Sequence, residues 1–160
     1  MLYFNGLESV RSMEDGLPGG EYVIRLGEQT LRIDNERYVV DNLIPPMVFT
    51  VLRSAPHPPP VGNAAYILGV GPLLEDRALV ELVEENQSAV PVIAGGLGTN
   101  FMIEGDSEQG WTIYWFSFLA QPVLRRPVGI QLLRGGSGPQ VVVLPEGEAP
   151  QRWHFERVGE

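Results

Sequence analysis

Self-similarity at a fixed offset constrains an architecture more tightly than local propensity does, and this chain repeats itself every 52 residues. Tyr38-Val39-Val40, Val90-Pro91-Val92 and Val142-Val143-Leu144 are three short apolar strands at that offset. The aromatic-x-apolar triplets Phe49-Thr50-Val51, Phe101-Met102-Ile103 and Trp153-His154-Phe155 recur at the same spacing. In a strand, such a triplet turns two side chains to one face and one to the other. Between the paired strands lie three connectors of eight residues each, Asp41 to Val48, Ile93 to Asn100 and Pro145 to Arg152, and every one carries Gly or Pro.

Each unit also opens on an aromatic-containing strand: Glu21 to Ile24, Ala65 to Leu68 and Trp111 to Tyr114. The remaining second strands are expected at Thr30 to Ile33, Ala78 to Val83 and Ile130 to Leu133. Glu75 to Glu85 has a helical alternative, because Leu79, Leu82 and Val83 fit one helical face. Ala78, Val80 and Leu82 also alternate as in a strand, and the strand is favoured. With 19 Gly and 14 Pro set among short Val/Ile/Leu runs, the whole chain reads as strands joined by tight turns. A four-stranded unit of about fifty residues cannot bury its apolar face alone. Three of them around a pseudo-three-fold axis close into a barrel with a hairpin cap, a β-trefoil; three propeller blades would fall below the usual four to eight. Phe49, Phe101 and Trp153 are then equivalent core residues. One all-β domain is expected over residues 16–160. Residues 1–15 are read as an N-terminal extension, and Leu2-Tyr3-Phe4-Asn5-Gly6 is similar to the remnant of an expression-vector protease site.

Charge and composition exclude several functions. Eleven basic residues against 20 acidic ones give a net charge of −9, which repels phosphate backbones and anionic lipid, so neither nucleic acid nor membrane is an expected partner. There is no cysteine, hence no disulfide, thiolate nucleophile or cysteine metal ligand. No secretion signal or span-length apolar run is visible, and a cytoplasmic monomer is expected.

Catalytic chemistry finds no constellation, so the chain is read as a binding protein rather than an enzyme, with no cofactor and no metal. The two histidines, His57 and His154, stand beside no nucleophile or second ligand. His57 lies in the proline-rich stretch Ser54 to Pro60, an exposed stiff loop, and His154 should point outward from its strand. The glycine-rich stretches at Gly69, Gly95 and Gly135 lack the helix and the lysine of a nucleotide-hydrolase phosphate loop. Asn86-Gln87-Ser88 matches a glycosylation acceptor and reads as a polar turn. The acidic run Glu75, Asp76, Glu81, Glu84 and Glu85 reads as a solvated face.

The opening Gly20-Glu21-Tyr22-Val23-Ile24 and the close Trp153-His154-Phe155-Glu156 resemble those of the mushroom β-trefoil serine protease inhibitors and, more distantly, the cysteine protease-inhibiting mycocypins. The resemblance covers Leu17 to Val158. It implies an exposed loop that enters a protease cleft, held in substrate-like shape so that little ordering cost is left for binding. In the serine protease inhibitors that loop joins the second and third strands of the first unit, which maps onto Asp34-Asn35-Glu36-Arg37. Arg37 would offer a charge to a trypsin-like pocket, with Asn35 the milder candidate and Glu36 between them. The mycocypin loops map onto Leu26 to Gln29 and Asn42 to Met47, including Asn42 and Leu43, for a papain-like cleft. A legumain-blocking asparagine would correspond to Asn86. A further candidate is the stretch Leu119 to Pro127, read as a long exposed loop, with Arg125-Arg126-Pro127 resistant to cleavage.

The rival reading is a glycan-binding trefoil, since Gln151-x-Trp153 matches the Gln-x-Trp element of ricin-type lectins. The equivalent positions, Met47-x-Phe49 and Thr99-x-Phe101, lack it.

Overall fold

The structure, a computed structural model, describes residues 16–53, 65–81, 83, 88–117, 124–132 and 139–159. All their regular secondary structure is β, in thirteen strands. The first unit contributes β1 (Gly20–Leu26), β2 (Gln29–Asp34), β3 (Arg37–Asp41) and β4 (Phe49–Arg53). The second contributes β5 (Ala65–Gly69), β6 (Ala78–Leu79), β7 (Val90–Pro91), β8 (Ile93–Ala94) and β9 (Phe101–Asp106). The third contributes β10 (Gly110–Ser117), β11 (Leu124–Leu132), β12 (Pro139–Val143) and β13 (His154–Arg157).

The first and last strands of each unit form a closed ring. β1 pairs β4, β4 pairs β5, β5 pairs β9 and β9 pairs β10. The ring shuts where β13 pairs β1 and where Trp111 and Trp153 form a bridge, each N–H donating to the other's carbonyl at 2.7 Å. Closure leaves no sheet edge in the barrel wall. The fold is a β-trefoil.

Inside the ring the 52-residue period becomes three aromatic rungs. Tyr22 stands opposite Phe49, Tyr66 opposite Phe101 and Trp111 opposite Trp153. All six are buried, with Phe49, Phe101 and Trp153 exposed by no more than 2%. The polar tips of three of these rings are also partnered. Tyr22 Oη–H donates to the Pro18 carbonyl at 2.6 Å, Tyr66 Oη accepts from Leu17 N–H at 3.0 Å, and Trp153 Nε1–H donates to the Val128 carbonyl at 3.1 Å. Tyr22, Tyr66 and Trp153 are therefore buried without stranding their polar atoms.

The inner strands make the cap, and its centre explains why the second unit has an additional strand. Val92 N–H donates to the Val141 carbonyl at 2.9 Å while the Val92 carbonyl accepts from Tyr38 N–H at 3.0 Å. The expected strand Val90 to Val92 thus changes partner at Val92. β7 pairs β12 before it and β8 pairs β3 after it. A single β3–β12 rung, Val39 with Gln140, completes the triangle.

Two expectations need correction. The strand foreseen at Ala78 to Val83 stops at Leu79, because the Thr99 hydroxyl replaces the ladder: Thr99 Oγ1 accepts from Val80 N–H at 2.8 Å and lies 3.3 Å from its carbonyl. The strand foreseen at Ile130 to Leu133 begins instead at Leu124, since β10 and β11 pair outward as far as Ser117 with Leu124.

Tyr38 joins cap to barrel. Its ring packs on Phe49 at 5.6 Å between centroids, and its hydroxyl donates to the Asp76 carbonyl at 2.6 Å. Burial, and then the Asp76 carboxylate, push its pKa above the usual tyrosine value. Burial also raises Tyr66, with Arg53 and the Leu17 hydrogen bond opposing it.

The unfolded chain ionises its tyrosines near about pH 10, while the native state keeps these two protonated. Stability should therefore be at its full value below about pH 10 and decline as the pH rises further. Urea midpoints between pH 9 and 12 should show the decline, and Tyr38→Phe should flatten it while costing about 1–3 kcal/mol for the abandoned Asp76 carbonyl. Truncation of a barrel rung, Phe101→Ala, should cost about 3–5 kcal/mol in the same assay.

Candidate functional site

The β2–β3 hairpin carries candidate segments at both of its ends. At one end Asp34 pairs Arg37 around a two-residue turn, with Asn35 at φ 52° and Glu36 at φ 65°. Two successive left-handed residues make a type I′ turn, whose twist matches the strands it joins. Asn tolerates that region and Glu tolerates it less well, so Glu36 needs external support. It has it: the Glu36 carbonyl accepts from Ala94 N–H at 2.8 Å, Arg37 pairs Ile93, and Arg37 Nη1 donates to Gln140 Oε1 at 3.3 Å. Asn35, Glu36 and Arg37 are all exposed. Their backbone, however, is curled and docked against the second unit, and the Arg37 guanidinium is held by β12.

The opposite end releases the connector into β4. Asp41 fixes its root: one carboxylate oxygen accepts from Leu43 N–H at 3.2 Å, and the other pairs with Arg32 Nε at 3.0 Å. Met47, packed against the core, fixes the far side. Between these anchors Asn42, Leu43, Ile44 and Pro45 are exposed, Leu43 by 56% and Ile44 by 87%. No residue from Asn42 to Val48 has a positive φ, and the Ile44–Pro45 peptide is cis. The neighbouring Leu26 to Gln29 connection leaves the hairpin at this same end as a two-residue turn, with Leu26 opposite Gln29.

The expected long loop Leu119 to Pro127 is corrected in its described part, because residues 124–127 belong to β11. Arg125 pairs Phe116 across the ladder. Its guanidinium lies 4.1 Å from the Tyr114 ring centroid and 2.9 Å from Glu104 Oε2. Arg126 is 1% exposed and donates to the carbonyls of Leu144 (2.7 Å), Ser88 (3.0 Å) and Val143 (3.5 Å). Burial lowers its pKa and Glu146 opposes the shift. Its function is structural, tying the start of β7 to the end of β12. The in-out alternation of Arg126, Val128 and Ile130 was the signal for this inward position. Asn86, His57 and the rest of Ser54 to Pro60 lie outside the described residues.

Gln151-x-Trp153 points inward as a unit. Gln151 Oε1 accepts from Ile130 N–H at 3.0 Å, and its amide covers Gly129 so closely that an added Cβ there would stand 2.6 Å away. With Trp153 in the barrel core, the element is packing and not a sugar platform. Among the described residues no group of three His, Asp or Glu could hold a metal ion.

One further loop pair escaped the sequence reading. Arg77 Nε donates to the Leu74 carbonyl at 3.0 Å and Nη1 to the Leu97 carbonyl at 3.1 Å, which draws two turns together beneath exposed Leu73 and Leu97.

No protein-family model matches the sequence, and no curated protein matches it. Solved structures share the fold. Trypsin inhibitor 1 from Senna obtusifolia superposes with a TM-score of 0.62 at 14% identity, over 88% of this chain and 91% of that one. A complex of a BBKI mutant with bovine trypsin gives 0.55 at 17% identity, over 88% and 93%. At these identities the likeness is one of fold.

Gly129→Ala should cost about 1–3 kcal/mol, since it displaces Gln151 and leaves Ile130 N–H unpaired. A lowered urea midpoint with unchanged strand content by circular dichroism is the expected observation.

Proposed function

We propose that this protein inhibits proteases by placing an exposed loop in the active-site cleft, serine proteases being the first choice and cysteine proteases the second. The observation that carries this reading is the Asn42 to Pro46 segment. It presents adjacent apolar side chains on a backbone free of left-handed residues, anchored by Asp41 on one side and Met47 on the other. A loop held in its bound shape loses little conformational entropy on docking. Two further features support it. The fold is shared with a trypsin inhibitor and with an inhibitor mutant crystallised on trypsin, and the unit ends resemble those of the fungal inhibitors.

Within this reading the reactive segment is Asn42 to Pro46 rather than Asn35 to Arg37. The type I′ turn is already docked on the second unit through the Glu36 carbonyl and the Arg37–Ile93 pairing, whereas Leu43 and Ile44 stand exposed between their anchors. Leu43 and Ile44 fit an apolar primary pocket, so chymotrypsin-like and papain-like enzymes should be inhibited more strongly than trypsin.

The test is a panel of trypsin, chymotrypsin, papain and legumain. Leu43→Asp should weaken inhibition by about 2 kcal/mol or more, roughly thirtyfold, as for a central anchor of an interface. Leu43→Arg should shift preference toward trypsin, and Arg37→Ala should leave inhibition intact. Loss of trypsin inhibition in Arg37→Ala would return the site to the hairpin. Inactivity against all four enzymes would overturn the function.

A further inference from the structure

β3 and β12 touch through one rung, Val39 with Gln140, whereas β2 and β3 pair continuously from Thr30 with Asp41 to Asp34 with Arg37. Where β12 diverges from the hairpin, a cleft of about 140 Å³ opens, with Val39 and Pro139 as apolar floor and Gln29, Asp34, Asp41 and Gln140 around it.

The polar groups of this cleft are incompletely used. Gln140 is 6% exposed, and its Oε1 accepts from Arg37 Nη1. A guanidinium offers donors only, so this contact fixes which way the amide is turned. It leaves the Gln140 Nε2–H₂ group without a partner among the described residues. A buried donor left unpaired costs about 1–3 kcal/mol, which a ligand bringing an acceptor would recover. The Asp34 carboxylate accepts no hydrogen bond and forms no ion pair among the described residues. Asp41, which accepts from Arg32 and from Leu43 N–H, keeps further lone pairs.

The ligand must therefore supply an acceptor to Gln140, donors to Asp34 and Asp41, and C–H surface to Val39 and Pro139. An anion can accept from the Gln140 amide but brings no donor to either carboxylate. A bare cation cannot accept from the Gln140 amide. A ring bearing adjacent hydroxyls does all three, because each hydroxyl both donates and accepts. We propose that this cleft binds a single saccharide residue, at a site separate from the reactive segment and unrelated to the internal Gln151-x-Trp153 element. Arg37 then serves as a positioning residue, presenting the Gln140 amide.

The probes are free glucose, galactose, mannose and N-acetylglucosamine, titrated against the ¹⁵N-labelled full chain, beside an array carrying the same sugars as glycan termini. Saturable shifts of the Gln140 side-chain amide and of the Val39 backbone amide are expected with at least one sugar. Response to the free sugar identifies a monosaccharide site, and response on the array alone identifies a glycan terminus. Asp34→Ala should weaken binding at least tenfold. Gln140→Glu, which keeps an acceptor for Arg37 and removes the donor, should abolish binding. Neither substitution should change protease inhibition, so failure here is distinguishable from failure of the inhibitor reading. If Gln140→Glu does not fold, the exposed Asp34→Ala decides alone. Three results overturn the proposal: no saturable binding in either format, binding unmoved by the folded variants, or calcium producing those shifts while no sugar does.

Discussion

The rest of the structure depends on the reciprocal bridge between Trp111 and Trp153, which converts a run of paired strands into a closed wall. A thirteen-stranded sheet left open would expose two rows of unpaired backbone groups. Its apolar faces would also have nothing to pack against. Closure places Tyr22, Tyr66 and Trp111 against Phe49, Phe101 and Trp153. All six rings belong to the buried core, as three equivalent pairs related by the repeat. In a chain without cysteine, no covalent link substitutes for this packing.

The barrel was legible in the sequence because symmetry wrote each structural requirement three times. The three fourth-strand aromatics and the three third strands sit at one offset, and that offset survives into the register. Val51, Ile103 and Phe155 stand opposite Leu68, Ile113 and Ile24 respectively. Features occurring once could not be read this way. The partner change at Val92 arises because three strands meet where each can satisfy only two neighbours. The early end of β6 comes from one threonine hydroxyl. Arg126 looked like a surface charge because residue type outweighed alternation, yet carbonyls from two separate segments supply the acceptors that a buried guanidinium requires.

The candidate site was legible only in part, for a related reason. Asn35-Glu36-Arg37 and Asn42-Leu43 look equally polar and turn-like as strings, and tertiary contacts distinguish them. The first is held by Ala94, Ile93 and Gln140, residues far away in sequence. The second is held almost entirely by its own neighbours, Asp41 and Met47, which leaves its side chains to solvent. A segment restrained at its root but unpaired along its length can serve as a rigid ligand, whereas a segment paired along its length belongs to the scaffold.

The same distinction explains why both proposed sites gather on the first unit's hairpin. Asp41 roots the exposed Asn42 to Pro46 segment through Leu43 N–H and also lines the polar cleft. Its partner Arg32 neutralises it in place, so one carboxylate can serve both without carrying an uncompensated charge into a half-buried position. At the other end the exposed Arg37 reaches across the three-fold junction and donates to Gln140 Oε1. The barrel's symmetry fixes where the hairpin lies. The departures from symmetry, two exposed apolar residues before a proline pair and one incomplete strand junction, are where this chain acquires surfaces that the described residues of its other two units do not share.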